Sequence, residues 1–445
     1  VRGTAGQAVV GAWLISGNKT TKVITTKKDT FMFLSQQRQR LASVYHEYPP
    51  AFWTVVVVNF IDRLGGSLLF PFFALYVTKK FSVGMTEVGG LFAIWSAASF
   101  IGGFPGGALT DRLGRKGMII FSLAATSFAS LSLGLVNTIG LFFVVGFISG
   151  IFTEIGSPAY QAIVADILPE EKRTQGYGII RVAFNLAVVF GPVIGGFIAT
   201  RSYLALFITD AVISLVAAAV VLFAIAETKP EVRPGAEPET AAESFGGYLH
   251  VLRDAPFMVF VIISTLAWLV YMNMNTTLGV YLRNVHSIPE SGYGWILSLN
   301  AAMVVLFQFP ITRRIEKRAP MRMMAFGAAL LAAGFAMYGF FSAYVIFLAA
   351  MAVITVGEMV MIPVSTALIF RFAPQEMRGR YSFVYGLSWG ISFAAGPVLA
   401  GLILDNLDPN WLWYACGLLG MAAALGFLAL DRRNHAVAAQ ERGAK

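Results

Sequence analysis

From Phe52 onward the chain divides into twelve runs of mostly apolar residues, approximately 52–78, 86–108, 117–136, 139–167, 176–200, 203–226, 256–282, 291–312, 321–341, 343–371, 381–404 and 410–431. Each is near the ~20 residues that carry a helix across the hydrocarbon of a bilayer. Lipid offers no partner to a backbone N–H or C=O, so a spanning segment satisfies its own as a helix or joins a closed barrel. Barrel strands need only about 9–11 residues, and these runs are far longer. The pattern predicts an all-α membrane protein with twelve transmembrane helices. Composition agrees: of 445 residues, 57% are hydrophobic and 13% charged, against about 45–50% and about 25% in soluble domains.

Between the sixth and seventh runs, Glu227 to Ala255 is rich in Pro and Glu. Such a segment builds no core and reads as a surface linker. The organisation expected is a flexible tail over 1–50, a six-helix bundle over 51–226, the linker over 227–255, a second bundle over 256–431 and a tail over 432–445. Residues 1–50 read as a cytoplasmic tail, or as sequence upstream of a start at Met32; the apolar patch Val9–Ile15 is too short to span and lacks the basic lead-in of a signal peptide.

Cations cluster on alternate loops. Arg112, Arg115 and Lys116 follow the second run, Lys172 and Arg173 the fourth, and Arg313, Arg314, Lys317 and Arg318 the eighth, while the intervening loops carry Lys79, Lys80, Arg201 and Arg283. The positive-inside rule then places both termini and the linker in the cytoplasm of a multi-pass plasma-membrane protein. The net charge of +9 has the same cause, so nucleic acid is not an expected partner. Cys416 is the single cysteine and the four histidines are far apart, so neither a metal site nor a cofactor is expected. No Ser-His-Asp set or phosphate loop suggests an enzyme.

The two halves repeat. Pro158, Pro169, Glu171, Arg173, Gly191 and Pro192 recur roughly 205 residues later as Pro363, Pro374, Glu376, Arg378, Gly396 and Pro397. A same-sense repeat of a six-helix unit is what two pseudo-symmetric bundles leave, with a path between them near the midplane.

The loop from Gly107 to Lys116 reads Gly-Ala-Leu-Thr-Asp-Arg-Leu-Gly-Arg-Lys. Gly107 removes a side chain where one helix ends, and Gly114 permits a left-handed backbone in a short loop. Asp111 lies among Arg112, Arg115 and Lys116, suited to charge-assisted hydrogen bonds between helix ends. The spacing resembles the loop between the second and third helices of the major facilitator superfamily of secondary transporters. That resemblance implies alternating access, with these residues as a conformational latch.

Four charges fall near mid-span: Asp62 and Arg63 in the first run, Glu154 in the fourth and Glu358 in the tenth. Each costs roughly 2.5–3.5 kcal/mol on insertion scales, so each should face water or a partner. A carboxylate there has its pKa raised by low dielectric and lowered by a nearby guanidinium, so exposing it alternately to the two sides lets it load and release a proton. Glu154 is the expected partner of Arg63. The superfamily lines its cavity with helices 1, 4, 7 and 10, three of which carry these charges here. Phe60, Trp95, Trp268, Tyr271, Met272, Asn275, Tyr385 and Trp389 are the candidate wall residues, able to repack around apolar or cationic ligands. Asp166 and Arg181 are expected to form a structural ion pair, and Asp210 is assigned no role.

The fifth run contains Gly191-Pro192-Val193-Ile194-Gly195-Gly196, whose small residues allow close helix approach. It resembles, in part, the helix-5 signature of the drug:proton antiporter branch, in which Gly191, Pro192, Gly195 and Gly196 would seal the route across that helix. The further glycine of that signature is absent between Asn185 and Phe190. The branch's helix-4 arginine and glutamine are replaced by Gly146 and Ser149, leaving Gly150. The expectation is a monomeric efflux antiporter for hydrophobic or cationic small molecules, driven by a proton gradient. The rival readings are a nutrient importer or facilitator and a non-transporting receptor.

Overall fold

The structure is a computed structural model. It describes residues 45–228, 248–374 and 377–443, without the side chains of 103–108, 111, 112, 154, 170, 171, 174, 378, 379 and 434–443. The tail over 1–44 and most of the expected linker therefore lie outside the described residues, as do the side chains of Asp111, Arg112 and Glu154 and the surroundings of Gly107.

Among the described residues every regular element is helical, and twelve helices are long and apolar enough to cross a membrane. Span 1 comprises Pro50–Leu69, a 3-10 turn Phe70–Phe72 and Phe73–Phe81. Spans 2 and 3 are Met85–Leu113 and Arg115–Leu135. Span 4 is Ile139–Glu154 followed by Ser157–Ile167, and spans 5 and 6 are Glu170–Arg201 and Tyr203–Ala224. Span 7 is Ala255–Thr276 continued by Leu278–His286. Spans 8 to 12 are Glu290–Ile315, Pro320–Phe340, Tyr344–Phe372, Arg378–Asn406 and Asn410–Gly443.

The breaks have local causes. Pro71 cannot donate to the helix ladder, and the chain tightens to a 3-10 turn there. Pro158 similarly opens the second segment of span 4, two residues beyond Gly156. Span 7 breaks at Thr277, the position that mirrors Phe72 in the repeat. Spans 1 and 7 also stop alike. Ser82 and Ser287 adopt left-handed φ values of 52° and 54° before spans 2 and 8 begin, a costly conformation for a residue with a Cβ. The repeat is therefore present in the backbone as well as in the side chains, with a serine at both stops.

Within the first half, span 1 packs on spans 5 and 6, span 2 on span 4 and span 3 on span 6; within the second, span 9 packs on spans 10 and 12 and span 7 on spans 11 and 12. The halves join chiefly through spans 2 and 11 and spans 5 and 8. Below, the face that carries the loops after spans 2, 4, 6, 8 and 10 is the basic face, and the other is the far face.

Candidate functional site

Glu358 sits midway along span 10, flanked by apolar residues, and a carboxylate there must find donors or water. Asn300 of span 8 supplies one: its Nδ2 donates to Oε2 of Glu358 at 2.7 Å and also to the Thr355 hydroxyl at 2.9 Å. The Tyr271 hydroxyl of span 7 faces the same carboxylate. Tyr271 continues into an aromatic group in which its ring packs edge-on against Trp268, and Trp268 against Trp389 of span 11 at 5.0 Å. The Trp268 Nε1 donates to the Tyr385 hydroxyl at 3.2 Å. Trp389 keeps 45% of its surface exposed, so this acid-and-aromatic corner has an open side. Met272 is buried against Gly396 behind it, and Asn275 is half-buried. Asn300 is a member of the site that sequence reasoning misses; an amide in an apolar run is the available signal.

In the first half, Asp62 is half-buried and its charge acts on the Tyr160 hydroxyl of span 4 and on Asp210 of span 6. Arg63 is exposed, with its guanidinium 5.5 Å from the centre of the Phe184 ring of span 5. Phe60 packs against the core of this half, and Trp95 lies beside Phe73 and against span 4 at Gly150. The candidates thus fall into two groups, one in each half. Trp268, Tyr271, Tyr385, Trp389 and Glu358 come together; Trp95 is drawn into the packing of spans 1, 2 and 4.

The far face is closed between the halves. Phe393 of span 11 stacks on Phe70 at 5.9 Å and meets Phe92 edge-on at 5.5 Å, forming an aromatic plug one turn beyond Trp389. Beyond it, Asp405 at the end of span 11 accepts from the backbone N–H groups of Met85 and Thr86, at 2.8 and 2.6 Å. Arg283 donates to the Leu75 carbonyl and the Thr78 hydroxyl, both at 2.9 Å, and Tyr203 donates to Glu290. These five hydrogen bonds join the halves at this face.

The glycines of the repeat make these crossings possible. Gly401 and Gly89 bring span 11 onto span 2, where an added Cβ would stand 2.5 Å from the Met85 carbonyl and from the Val398 Cα respectively. The equivalent positions, Gly196 and Gly294, bring span 5 onto span 8. Gly191 and Gly195 instead face span 1 at Ser67 and Leu68, where the Ser67 hydroxyl donates to the Ala187 carbonyl, one turn before Pro192. Asp405 satisfies two N–H groups that a helix start leaves unpaired, and losing such a cap costs about 1 kcal/mol. Asp405→Ala is therefore expected to shift the balance away from the closed far face by about fivefold. Labelling by an impermeant thiol reagent of Val280→Cys, a buried position at this seam, measures the shift; the native Cys416 is itself buried.

At the basic face Gly114 takes φ +96°, turning the chain between spans 2 and 3 as expected. Arg115 is buried, and its Nε pairs with Asp166 at 3.1 Å. This corrects the expected Asp166–Arg181 pair: Arg181 stands exposed farther along span 5. Glu227, read from sequence as the start of the linker, returns to the start of span 3 and accepts from the N–H of Arg115 at 2.7 Å and of Lys116 at 3.4 Å. A carboxylate at a helix N-terminus is favoured both by hydrogen bonding and by the helix dipole. Glu227→Ala is expected to destabilise the first half by about 1 kcal/mol, read as a lower thermal midpoint in detergent.

The family model of the Major Facilitator Superfamily matches residues 55–395 and 262–445. A Na(+), Li(+), K(+)/H(+) antiporter of Planococcus maritimus is 28% identical over 395 residues, covering 82% of this chain and 91% of its own. Multidrug resistance protein 2 of Bacillus subtilis is 24% identical, covering 85% of this chain and 95% of its own. A mutant of the nucleoside transporter NupG shares the fold with a TM-score of 0.75 at 12% identity, over 85% of this chain and 99% of that one. A POT family transporter does so with a TM-score of 0.73 at 15% identity, over 86% and 96%. The chain is a multi-pass membrane transporter and belongs to the Major Facilitator Superfamily.

Proposed function

We propose that the protein is a proton-coupled exporter of hydrophobic or cationic small molecules, working by alternating access across the plasma membrane with the basic face in the cytoplasm. The observation that carries the reading is Glu358, a carboxylate at mid-span that accepts from the neutral amide of Asn300 and faces the Tyr271 hydroxyl, next to a partly exposed wall of Trp268 and Trp389. A neutral amide and a phenol hold the acid in place without a fixed counter-charge, leaving its charge to be met by a proton or a cationic ligand. The aromatic faces offer cation–π and apolar contact to that ligand. Asp62 and Arg63 add a second group in the opposite half, and Glu154 is assigned with them from its mid-span place in the sequence.

In the arrangement described, the far face is shut and the ligand would enter from the basic face. Protonation and ligand release would accompany opening of the far face as the halves rock about the midplane. The Gly107–Lys116 loop would latch the basic face in the alternate state, through Asp111, Arg112, Arg115 and Lys116. The relatives named as a cation/proton antiporter and a multidrug resistance protein support exchange and efflux.

Reconstitution into vesicles, with a cationic dye and an imposed pH gradient, tests the reading. Gradient-dependent accumulation supports it, and dye movement indifferent to the gradient points to a facilitator. Asp111→Asn should slow turnover more than about tenfold while leaving insertion unchanged, because a neutral amide loses the charge-assisted bonds of the latch. Unchanged turnover removes the latch.

A further inference from the structure

Asp210, on span 6, is 4% exposed at bilayer depth, and its described hydrogen bond is the one it accepts from Ser130 of span 3. One hydroxyl leaves most of a carboxylate's acceptor capacity unused, and a buried charge without a counter-charge is strongly disfavoured. Span 1 approaches the same face at Gly65, where an added Cβ would stand 2.5 Å from Asp210 Oδ1. One turn along span 1 lies Asp62, whose negative charge acts on Asp210. The Asp62 charge makes a bare charge on Asp210 more costly still, since the two carboxylates repel.

A proton on Asp210 would relieve that repulsion, but it leaves a second feature unexplained. Ser214 lies one turn from Asp210 on the same face of span 6, as residues four apart do. It is 1% exposed, and its hydroxyl has no hydrogen-bond partner among the described residues. An orphaned buried hydroxyl beside a carboxylate with a single described donor is an oxygen set suited to a ligand that accepts lone pairs. Ser130 adds a further side-chain oxygen from span 3. Hard oxygen donors suit alkali and alkaline-earth cations. Calcium takes 6–8 oxygens, more than this seam offers, whereas a small monovalent ion needs fewer.

We infer that Asp210, Ser130 and Ser214, with Asp62 at the edge, form a binding site for a small alkali cation, sodium or lithium, between spans 1, 3 and 6. The site is separate from the Glu358 corner, so it stands whether or not a proton drives export. Its place beside span 1 lets an ion bind the first half without touching the other.

The test uses purified full-length protein in lipid nanodiscs with no gradient, and follows thermal unfolding in sodium, lithium or choline chloride at constant ionic strength. Sodium or lithium is expected to raise the midpoint by about 2–4 °C over choline. Ser214→Ala, which leaves the Asp210–Ser130 bond in place, should weaken the apparent affinity about tenfold, and Asp210→Asn should abolish the shift. Glu358→Gln should keep it, separating this site from the export reading. Equal midpoints in sodium, lithium and choline would show that a proton alone neutralises Asp210 and would overturn the inference. A shift that survives both Ser214→Ala and Asp210→Asn would place the ion elsewhere and would overturn it equally. If Asp210→Asn does not fold, Ser214→Ala decides.

Discussion

Glu358→Gln is expected to reduce gradient-driven dye accumulation more than about tenfold while leaving exchange of dye against dye across the same vesicles close to wild type. The substitution is nearly isosteric and keeps an oxygen to accept from Asn300, which donates to Oε2 at 2.7 Å in the native protein. It removes the ability to take up and give back a proton, together with the negative charge that a cationic ligand could meet, so the dye-against-dye exchange reports how far the ligand depends on that charge. A proton-motive driving force of a single pH unit is worth about 1.4 kcal/mol per proton, a factor of ten in concentration ratio, and that factor disappears if Glu358 is the carrier. Exchange without a gradient needs the rocking of the halves and the aromatic wall of Trp268 and Trp389, which the substitution does not touch. Loss of both activities would assign Glu358 to ligand binding or packing instead of coupling. Retention of both would move the proton to Asp62 or Glu154.

The contrast between what is and is not readable in the sequence has a physical basis. Twelve spans follow from apolar length, because lipid imposes one rule on every residue of a spanning segment. The Gly-Pro repeats are visible as side-chain types, and Gly191-Pro192 and Gly396-Pro397 indeed occupy equivalent places. Their partners are not visible. Gly401 meets the backbone of Met85 and Gly196 that of Glu290; those two residues share no chemistry, since what touches is main chain. Ion pairs escape for a related reason. Nearness along the chain matches Asp166 with Arg181, whereas its partner Arg115 comes from the start of span 3, a distance that no local pattern encodes. Pro-rich surroundings assign Glu227 to the linker, although its carboxylate folds back to cap span 3. Polar residues within spans carry more information than their neighbours suggest: Asn300 holds Glu358 and Ser130 holds Asp210. An amide or hydroxyl inside an apolar run is as informative as a charge, because it too must be satisfied in lipid.

Gly401→Trp should hold the far face open and stop transport. Any Cβ at this position meets the carbonyl carbon and oxygen of Met85 and the nitrogen of Thr86, each 2.5 Å away. Those atoms are backbone at the start of span 2 and cannot swing aside as a side-chain tip would. The arrangement in which Asp405 caps span 2 and Phe393 plugs between Phe70 and Phe92 therefore excludes even alanine without a shift of one half against the other. Overpacking a tight contact costs about 1–3 kcal/mol, which for a two-state carrier is a population shift of about 5–150-fold. Gly401→Ala should sit at the lower end and the indole at the upper. Gly196→Ala, the equivalent change at the span 5 and span 8 crossing, meets its nearest atom, the Glu290 carbonyl, at 3.1 Å and should shift the balance less. The readout is again impermeant labelling of Val280→Cys, expected to rise in the order wild type, Gly196→Ala, Gly401→Ala, Gly401→Trp, with ligand-driven turnover falling in the same order. Faster labelling with full turnover would mean that closure of this face is not required in the cycle. Unchanged labelling in Gly401→Trp would mean that spans 2 and 11 do not meet at this glycine in the membrane.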